Sequence, residues 1–336
     1  MSKNIVVFSD GTGQEGGKGN PTNIYKIFRM LENRTSDQIS FYDRGLGTGW
    51  RKFGGNAFGS GISKNIKECY RFIFDNFEAD DEIFLFGFSR GAATVRSLSG
   101  FIHLFGMLPK SRPELIDKAW KIYKIKDSTV RKEKASALIS KHHNMWAHIK
   151  FLGVFDTVAA LGVPNKFMNS VIDRLPGMKH NFHDFLLSES VQNAYQALAI
   201  DDERKTFHPV FWDPKLQGHQ KMEQVWFAGV HTDVGGGYPE QNLSDIPLEW
   251  MLEKAGPCGL RIYAGNNVKI NPDVNGTMHD PFDGRMPWKR KERTWDSQTH
   301  GKPRVHHSVS NRSLNSQDDP DSTYGPWILQ VPHDVV

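Results

Sequence analysis

The chain has 336 residues, of which 38% are hydrophobic and 24% charged, and its formal net charge is +4 at neutral pH. This composition excludes a disordered chain, and the length suits one large α/β domain or two modest ones. The mild positive charge favours an anionic substrate or surface but is too weak to predict nucleic-acid binding. Two cysteines, Cys69 and Cys258, exclude a disulfide framework and are typical of a reducing compartment.

Targeting signals are not evident in the sequence. The N-terminal sequence MSKNIVVFSDGTG lacks the apolar segment of a signal peptide, and no window approaches the roughly 18 apolar residues that span a bilayer. We therefore expect a cytoplasmic location, with any secretion independent of a cleavable signal.

Five segments are predicted to be β-strands, at residues 4–10, 39–45, 82–89, 149–156 and 224–233. Each is a nearly continuous apolar run, typical of strands buried on both faces of a parallel sheet. Helical periodicity between strands, as in residues 62–77, indicates βαβ units. The sequence therefore predicts one α/β domain over residues 1–336, with a mostly parallel central sheet flanked by helices.

Two insertions in this domain are predicted to form helical caps. Residues 109–148 are basic and helical. They form either a surface helix pair with a solvated basic face or a cap that meets anionic lipid headgroups. Residues 164–187 are the second candidate cap. Residues 257–336 are rich in Gly, Pro, Asn and Asp, so we expect an irregular C-terminal region.

Polar side chains follow every predicted strand, at the edge of a parallel sheet where ligands bind: Asp10, Asp43, Ser89, Asp156, and His231 with Asp233. Ser89 is the centre of the Gly-x-Ser-x-Gly sequence GFSRG, between a predicted strand and a predicted helix. This sharp turn is typical of the nucleophile of α/β-hydrolases, which places the predicted fold in the α/β-hydrolase-like class.

A serine nucleophile needs a base, an acid that orients the base, and donors for the oxyanion. His231 precedes a Gly-rich loop and is the candidate base, although a purely structural histidine is the alternative reading. Asp156 is the favoured acid because it gives the chain order Ser, Asp, His. Asp233, Asp201 and Asp202 remain rivals.

The predicted oxyanion hole combines the backbone N–H of Arg90 with that of Gly11 or Thr12. Asp10 either braces this loop, contacts His231 or is a structural turn residue, and Asp233 is a further candidate for support of the site. The sequence SDGT also suggests haloacid-dehalogenase phosphatases, but Phe8 occupies the position of their nucleophilic aspartate.

Phosphate and metal sites are not indicated. The glycine-dense residues 44–55 lack the ending of a phosphate-binding loop, so we expect a mobile loop near the site. The histidines show no spacing typical of a metal site, so we expect neither a metal nor a cofactor. A metal-dependent hydrolase that uses Asp10 and Asp233 is a third hypothesis.

Several motifs occur together in a consistent order up to about residue 312: FSDGTGQ, NPTNIYKI, YDRGLGTG, GFSRGAATVRSLSGFI, LGVFDTV, AYQALAIDDER, WFAGVHTDVGGGY and HHSVSNR. Together they resemble the bacterial and fungal α/β-hydrolase domain family that includes the family-one phospholipase effectors of type VI secretion. The resemblance implies a serine hydrolase of ester bonds, with phospholipids as substrates and a triad of Ser89, Asp156 and His231. The chain is expected to be little more than the catalytic core.

The predicted function is therefore a serine esterase or lipase, phospholipase A-type included, that acts through an acyl-enzyme without a cofactor. The alternative is a catalytically silent α/β-hydrolase-fold module that binds a lipid or a partner protein. The expected partners are a lipid or small ester substrate and, transiently, an anionic membrane surface, with no nucleic acid. Head group, chain length and oligomeric state are not predicted.

Overall fold

The computed structural model describes residues 2–11, 19–45, 56–158, 186–283, 288–316 and 323–336, with the main chain alone for 56–60, 315 and 316. Within these ranges one sheet has the strand order β2-β1-β3-β4-β5-β6-β7-β8, and each neighbouring pair is parallel. The strands are β1 (Asn4–Ser9), β2 (Gln38–Asp43), β3 (Glu82–Phe88), β4 (Ile149–Phe155), β5 (Val191–Ala199), β6 (Lys221–Phe227), β7 (Arg304–Val305) and β8 (Asp334–Val335). The predicted parallel α/β architecture is confirmed.

Helices connect the strands and flank the sheet. They are α1 (Asn23–Met30), α2 (Asn56–Asn76), α3 (Arg90–Phe105), α4 (Leu115–Tyr123), α5 (Ser128–His142), α6 (His231–Gly235), α7 (Asn242–Ala255), α8 (Ser297–His300) and α9 (His307–Ser316). None of the described helices has both the length and the apolar character that crossing a bilayer requires.

The sheet lies between two hydrophobic layers, and the alternation of side chains along each strand supplies both. Ile5 and Val7 of β1 belong to the layer formed with α2, α3, α4 and α5. Val6 and Phe8 belong to the opposite layer, with α1 and α7. Because both faces are covered, the strand is buried almost throughout, which is why it appears in the sequence as a continuous apolar run.

The sequence-based prediction missed β5 and misplaced the end of β6. Asn193 and Gln196 interrupt the apolar pattern of β5, yet Gln196 is fully buried because its amide donates to Gln224 and to a main-chain oxygen. The predicted strand over residues 224–233 ends at Phe227, because Gly229 turns the chain at a φ of +104°. His231 therefore begins α6 rather than ending a strand.

The first predicted insertion forms the helix pair α4 and α5, which packs against α2 and α3. The Tyr123 hydroxyl donates to the main-chain oxygen of Ser97 on α3 at 2.9 Å, and Lys67 of α2 pairs with Asp117 of α4 at the same distance. The role of this pair as a cap stays a prediction. Most of the second candidate cap, residues 164–185, lies outside the described residues.

The C-terminal region was expected to be irregular, yet its described residues include the helices α8 and α9, a 3-10 helix at Trp327–Gln330, and the strands β7 and β8 of two residues each. It nevertheless contributes to the core, since Val305, Val309 and Ile328 are fully buried beside the sheet. This packing brings residues near 293 to the carboxyl edge of the central strands.

Candidate active site

Ser89 lies in a strained turn between β3 and α3. Its φ and ψ are +59° and −121°, a conformation that residues with a Cβ rarely adopt. The turn requires small neighbours: a Cβ on Gly91 would lie 2.0 Å from the main-chain oxygen of Ser9, and one on Gly87 would lie 2.6 Å from the Ala92 Cα. The predicted strand–turn–helix context of GFSRG is thus present.

His231 forms a hydrogen bond with Asp156. The imidazole Nδ1 lies 2.6 Å from Asp156 Oδ2, and both residues are buried. Asp156 follows β4 directly, and its other oxygen accepts the main-chain N–H of Ala199 at 3.1 Å. The two side chains come from residues 75 positions apart and meet because β4 and β6 end at the same edge of the sheet.

Arg293 binds both oxygens of the same carboxylate. Its two terminal nitrogens lie 2.7 and 2.9 Å from the two Asp156 oxygens. The guanidinium also donates to the main-chain oxygens of Asp202, Ala199 and Phe207, so that this fully buried cation is well solvated by the protein. A planar guanidinium suits this forked contact, which a lysine could not reproduce.

Sequence reasoning missed Arg293. It occurs in the segment KRKERTW, whose consecutive charges predict an exposed loop, and no periodicity or motif there distinguishes one arginine from the others. The signal that identifies it is tertiary: Arg293 is 1% exposed, while its neighbours Arg290 and Lys291 are exposed.

The charges in this cluster set the protonation of the Asp–His pair. Burial alone would raise the pKa of Asp156, but the Arg293 cation and the hydrogen bonds from His231 and Arg293 lower it well below its ordinary value. Burial lowers the pKa of His231, and the adjacent Asp156 carboxylate offsets this only in part. The imidazole is therefore neutral near pH 7, with Asp156 ionised beside it.

Phe88 connects the serine turn to the histidine. Its ring centroid lies 4.7 Å from that of His231, and Ser89 is the next residue in the chain. With Nδ1 bound to Asp156, the Nε2 of His231 is buried and has no hydrogen-bond partner among the described residues. A buried ring nitrogen without a partner is costly unless it serves another purpose, such as accepting a proton.

The rival carboxylates contact the chain around His231 but not its ring. Asp233 accepts from the N–H of Val230 and pairs with the His279 ring at 2.6 Å. Asp202 accepts the main-chain N–H of His231 at 3.1 Å and binds Arg204. Asp201 accepts from Gly229 and from the Tyr324 hydroxyl. Of the four candidates, Asp156 alone binds the His231 imidazole among the described contacts.

Asp10 braces the loop in which the oxyanion donor was predicted. Its carboxylate accepts hydrogen bonds from the Gly11 N–H at 2.7 Å, the Thr22 hydroxyl and the Tyr42 hydroxyl. The Gly11 amide is thus occupied by Asp10, which argues against it as the oxyanion donor. Gly11 itself adjoins the serine, since a Cβ there would lie 3.6 Å from that of Ser89. Thr12 lies outside the described residues.

The remaining polar groups at this edge have other partners. Asp43 accepts from the Ser9 hydroxyl and from Asn65.

Within the described ranges, no group of three His, Cys, Asp or Glu side chains is arranged to bind a metal ion. The glycine-dense loop predicted near the site lies largely outside the described part of the chain, at residues 46–55.

Comparison with known proteins identifies a family. The family model for the T6SS phospholipase effector Tle1-like catalytic domain matches residues 3–254. An uncharacterised protein of Saccharomyces cerevisiae, YEL023C, is 28% identical over 267 residues, which are 71% of this chain and 37% of the yeast protein.

Two solved structures are also similar. An uncharacterised protein from Pseudomonas aeruginosa aligns with a TM-score of 0.47 and 15% identity over 78% of this chain and 46% of its own. The Tle1 effector bound to the VgrG spike of the type VI secretion system aligns with a TM-score of 0.37 and 21% identity over 71% of this chain and 52% of its own. The chain thus spans about half, or less, of the length of these relatives.

Proposed function

Because this chain belongs to the family of Tle1-like phospholipase effector catalytic domains of type VI secretion, we propose that it is a serine hydrolase of carboxylic esters in phospholipids or related lipids. The observation that carries the proposal is the buried Asp156–His231 pair, 2.6 Å apart, beside the strained turn at Ser89. Family membership supports the lipid substrate, and this pair supports the chemistry.

In the proposed first step, the Ser89 hydroxyl oxygen attacks the ester carbonyl carbon while its proton moves to Nε2 of His231. Asp156 accepts a hydrogen bond from Nδ1, so it selects the tautomer with a free Nε2 and stabilises the imidazolium that forms. Arg293 is a positioning residue, since it binds Asp156 and not the substrate.

The tetrahedral oxyanion is bound in this proposal by the backbone N–H of Arg90 and by that of Thr12, since the Gly11 amide is occupied by Asp10. Collapse of the intermediate breaks the ester C–O bond, and His231 returns its proton to the leaving alcohol oxygen. Water, activated by the same histidine, then attacks the acyl-enzyme and releases the fatty acid and the free serine.

Substitution of the nucleophile tests this proposal. Ser89→Ala should reduce ester hydrolysis by about 10⁶-fold without loss of the fold, and should abolish covalent labelling by a fluorophosphonate. Ser99→Ala is the matched control, because Ser99 lies on the helix that follows Ser89, is buried, and hydrogen-bonds to Arg96 and Ser188 rather than to the site. It should keep both the labelling and the turnover.

The competing functions give different results in the same assay. A catalytically silent binding module would show no fluorophosphonate labelling of the wild-type chain. A metal-dependent hydrolase that uses Asp10 and Asp233 would lose activity to a chelator and keep it in Ser89→Ala. Either result would overturn the proposed mechanism.

A further inference from the structure

The positive charge of this protein is concentrated in one helix pair. Residues 110–141 contain ten lysines and arginines and four acidic residues, a net charge of +6, so the rest of the chain carries a net charge of −2. The acidic Asp117 of α4 is paired with Lys67 of α2.

A groove runs between α4 and α5 on this basic surface, with a volume of about 470 Å³. Four exposed lysines line it, Lys118 and Lys121 on α4 and Lys134 and Lys141 on α5. None of these lysines forms an ion pair with a residue that the structure describes. The groove floor is apolar and includes Ile122, Ile125 and Leu138.

We propose that the α4–α5 groove is a docking site for anionic phospholipids of a membrane surface. The choice of a lipid over another anion rests on the proposed function, because a phospholipase must reach substrate that is packed in a bilayer. The inference adds a binding surface, separate from the serine, that would hold the enzyme at the interface.

The chemistry of the groove favours this partner over a soluble polyanion. Four ammonium groups around an opening can contact headgroup phosphates, and each basic residue close to an anionic membrane strengthens binding about fivefold. A polyanion alone would gain nothing from the apolar floor. A lipid can place acyl carbon against Ile125, which is only partly buried, while its phosphate stays among the lysines.

The test measures binding to vesicles in a Ser89→Ala background, so that no turnover enters the result. The vesicles contain equal parts of phosphatidylcholine and phosphatidylglycerol, with pure phosphatidylcholine as the uncharged reference. The groove variant K118Q/K121Q/K134Q/K141Q should lose at least about fiftyfold in binding to the anionic vesicles. Its thermal unfolding midpoint checks that the helix pair is still folded.

The matched control removes the same charge outside the helix pair, as K215Q/K221Q/K269Q/K302Q, from exposed lysines that do not line the groove. It should lose no more than about fivefold, since only long-range attraction is reduced. Equal losses in the two variants would overturn the site and leave a diffuse electrostatic attraction.

A second variant, Ile125→Asn, separates a lipid from a soluble polyanion or an acidic protein. It should weaken vesicle binding about tenfold and leave binding to heparin unchanged. Two results would reject a lipid as the partner: Ile125→Asn binds the vesicles as tightly as its parent chain does, or heparin binds the parent chain as tightly as the vesicles do. Such a failure is distinct from failure of the proposed function, which is measured by fluorophosphonate labelling of the wild-type chain.

Discussion

Arg293 and Asp156 form a fully buried, two-pronged ion pair, with N–O distances of 2.7 and 2.9 Å. The carboxylate therefore contacts the cation through both of its oxygens and the His231 imidazole through one of them. Asp156 can stay ionised without contact with water, and the contacts with Arg293 fix its orientation toward the histidine.

Removal of the Arg293 charge should damage both stability and the pH profile. Arg293→Met leaves a buried carboxylate without its cation, so we expect a loss of about 3–5 kcal/mol in the free energy of unfolding. The acidic limb of kcat/KM should move to higher pH, because loss of a nearby positive charge makes His231 easier to protonate. Denaturant unfolding and pH–rate profiles measure the two effects.

Two variants calibrate this result. Arg293→Lys keeps the positive charge but loses the bidentate contact with Asp156. The acidic limb of its kcat/KM profile should therefore stay near that of the wild type, while its free energy of unfolding falls. Arg290→Met removes an exposed arginine that pairs with Glu203 at 3.2 Å, and it should change neither quantity. An unshifted acidic limb in Arg293→Met would reduce Arg293 to a purely structural residue.

The pH dependence of hydrolysis should identify the base. Burial lowers the pKa of His231 below 6.5, so its neutral, proton-accepting form persists to a lower pH than in a free histidine. Activity should thus be present above this lowered pKa and be lost as the pH falls through it. Steady-state kcat/KM over the acidic range measures the limb.

His279 provides the control for this assignment, because it forms the other Asp–His pair near α6, with Asp233 at 2.6 Å. His279→Gln should keep the acidic limb where it is. If the acidic limb of kcat/KM disappears in His279→Gln, the general base is His279 rather than His231.

Asp10 should make the protein less stable as the pH rises. Burial raises the pKa of Asp10 from 3.8 to about 6, although three hydrogen bonds favour its charged form. The unfolded chain therefore releases this proton first, and stability present below about pH 4 is lost progressively as the pH rises to about 6. The total loss from this group is about 3 kcal/mol.

Asp10→Asn removes the decrease in stability that Asp10 causes as the pH rises. The variant can keep all three contacts, since the asparagine oxygen accepts from Gly11 and its NH₂ group can donate to the two hydroxyls. The free energy of unfolding of the variant, relative to the wild type, should increase by about 3 kcal/mol between acidic and neutral pH. Urea unfolding at both pH values measures this difference. A difference that does not depend on pH would show that folding leaves the pKa of Asp10 unchanged, which would contradict this prediction.

Gly91 should tolerate no side chain. A Cβ there would lie 2.0 Å from the Ser9 oxygen, so Gly91→Ala must displace either β1 or the start of α3. We expect a loss of about 3 kcal/mol in stability, with loss of serine labelling. Gly218→Ala, where a Cβ would meet nothing within 4 Å, should be nearly neutral in thermal unfolding. Wild-type labelling in Gly91→Ala would show that the turn is adaptable.

Some elements could be predicted because their signal is local. The strands β1, β3 and β4 are buried on both faces, so each is a mostly apolar run that a polar residue follows. The serine turn could be predicted because only glycines fit on either side of it. Strand β5 was not predicted because the polar Gln196 is buried within it. The hydrogen-bond partners of the Gln196 amide lie elsewhere in the chain, so they leave no local pattern in the sequence.

The sequence by itself determined the parallel sheet, the edge at which polar side chains collect, and the residue types Ser, Asp and His at that edge. The tertiary structure decided which carboxylate meets the His231 ring, that the Gly11 amide binds Asp10, and that Arg293 completes the cluster. The physical reason is the range of the interactions. Burial of a strand produces an apolar pattern in consecutive residues of the sequence. The pairing of Arg293 with Asp156 joins positions 137 residues apart and exists only in the folded chain.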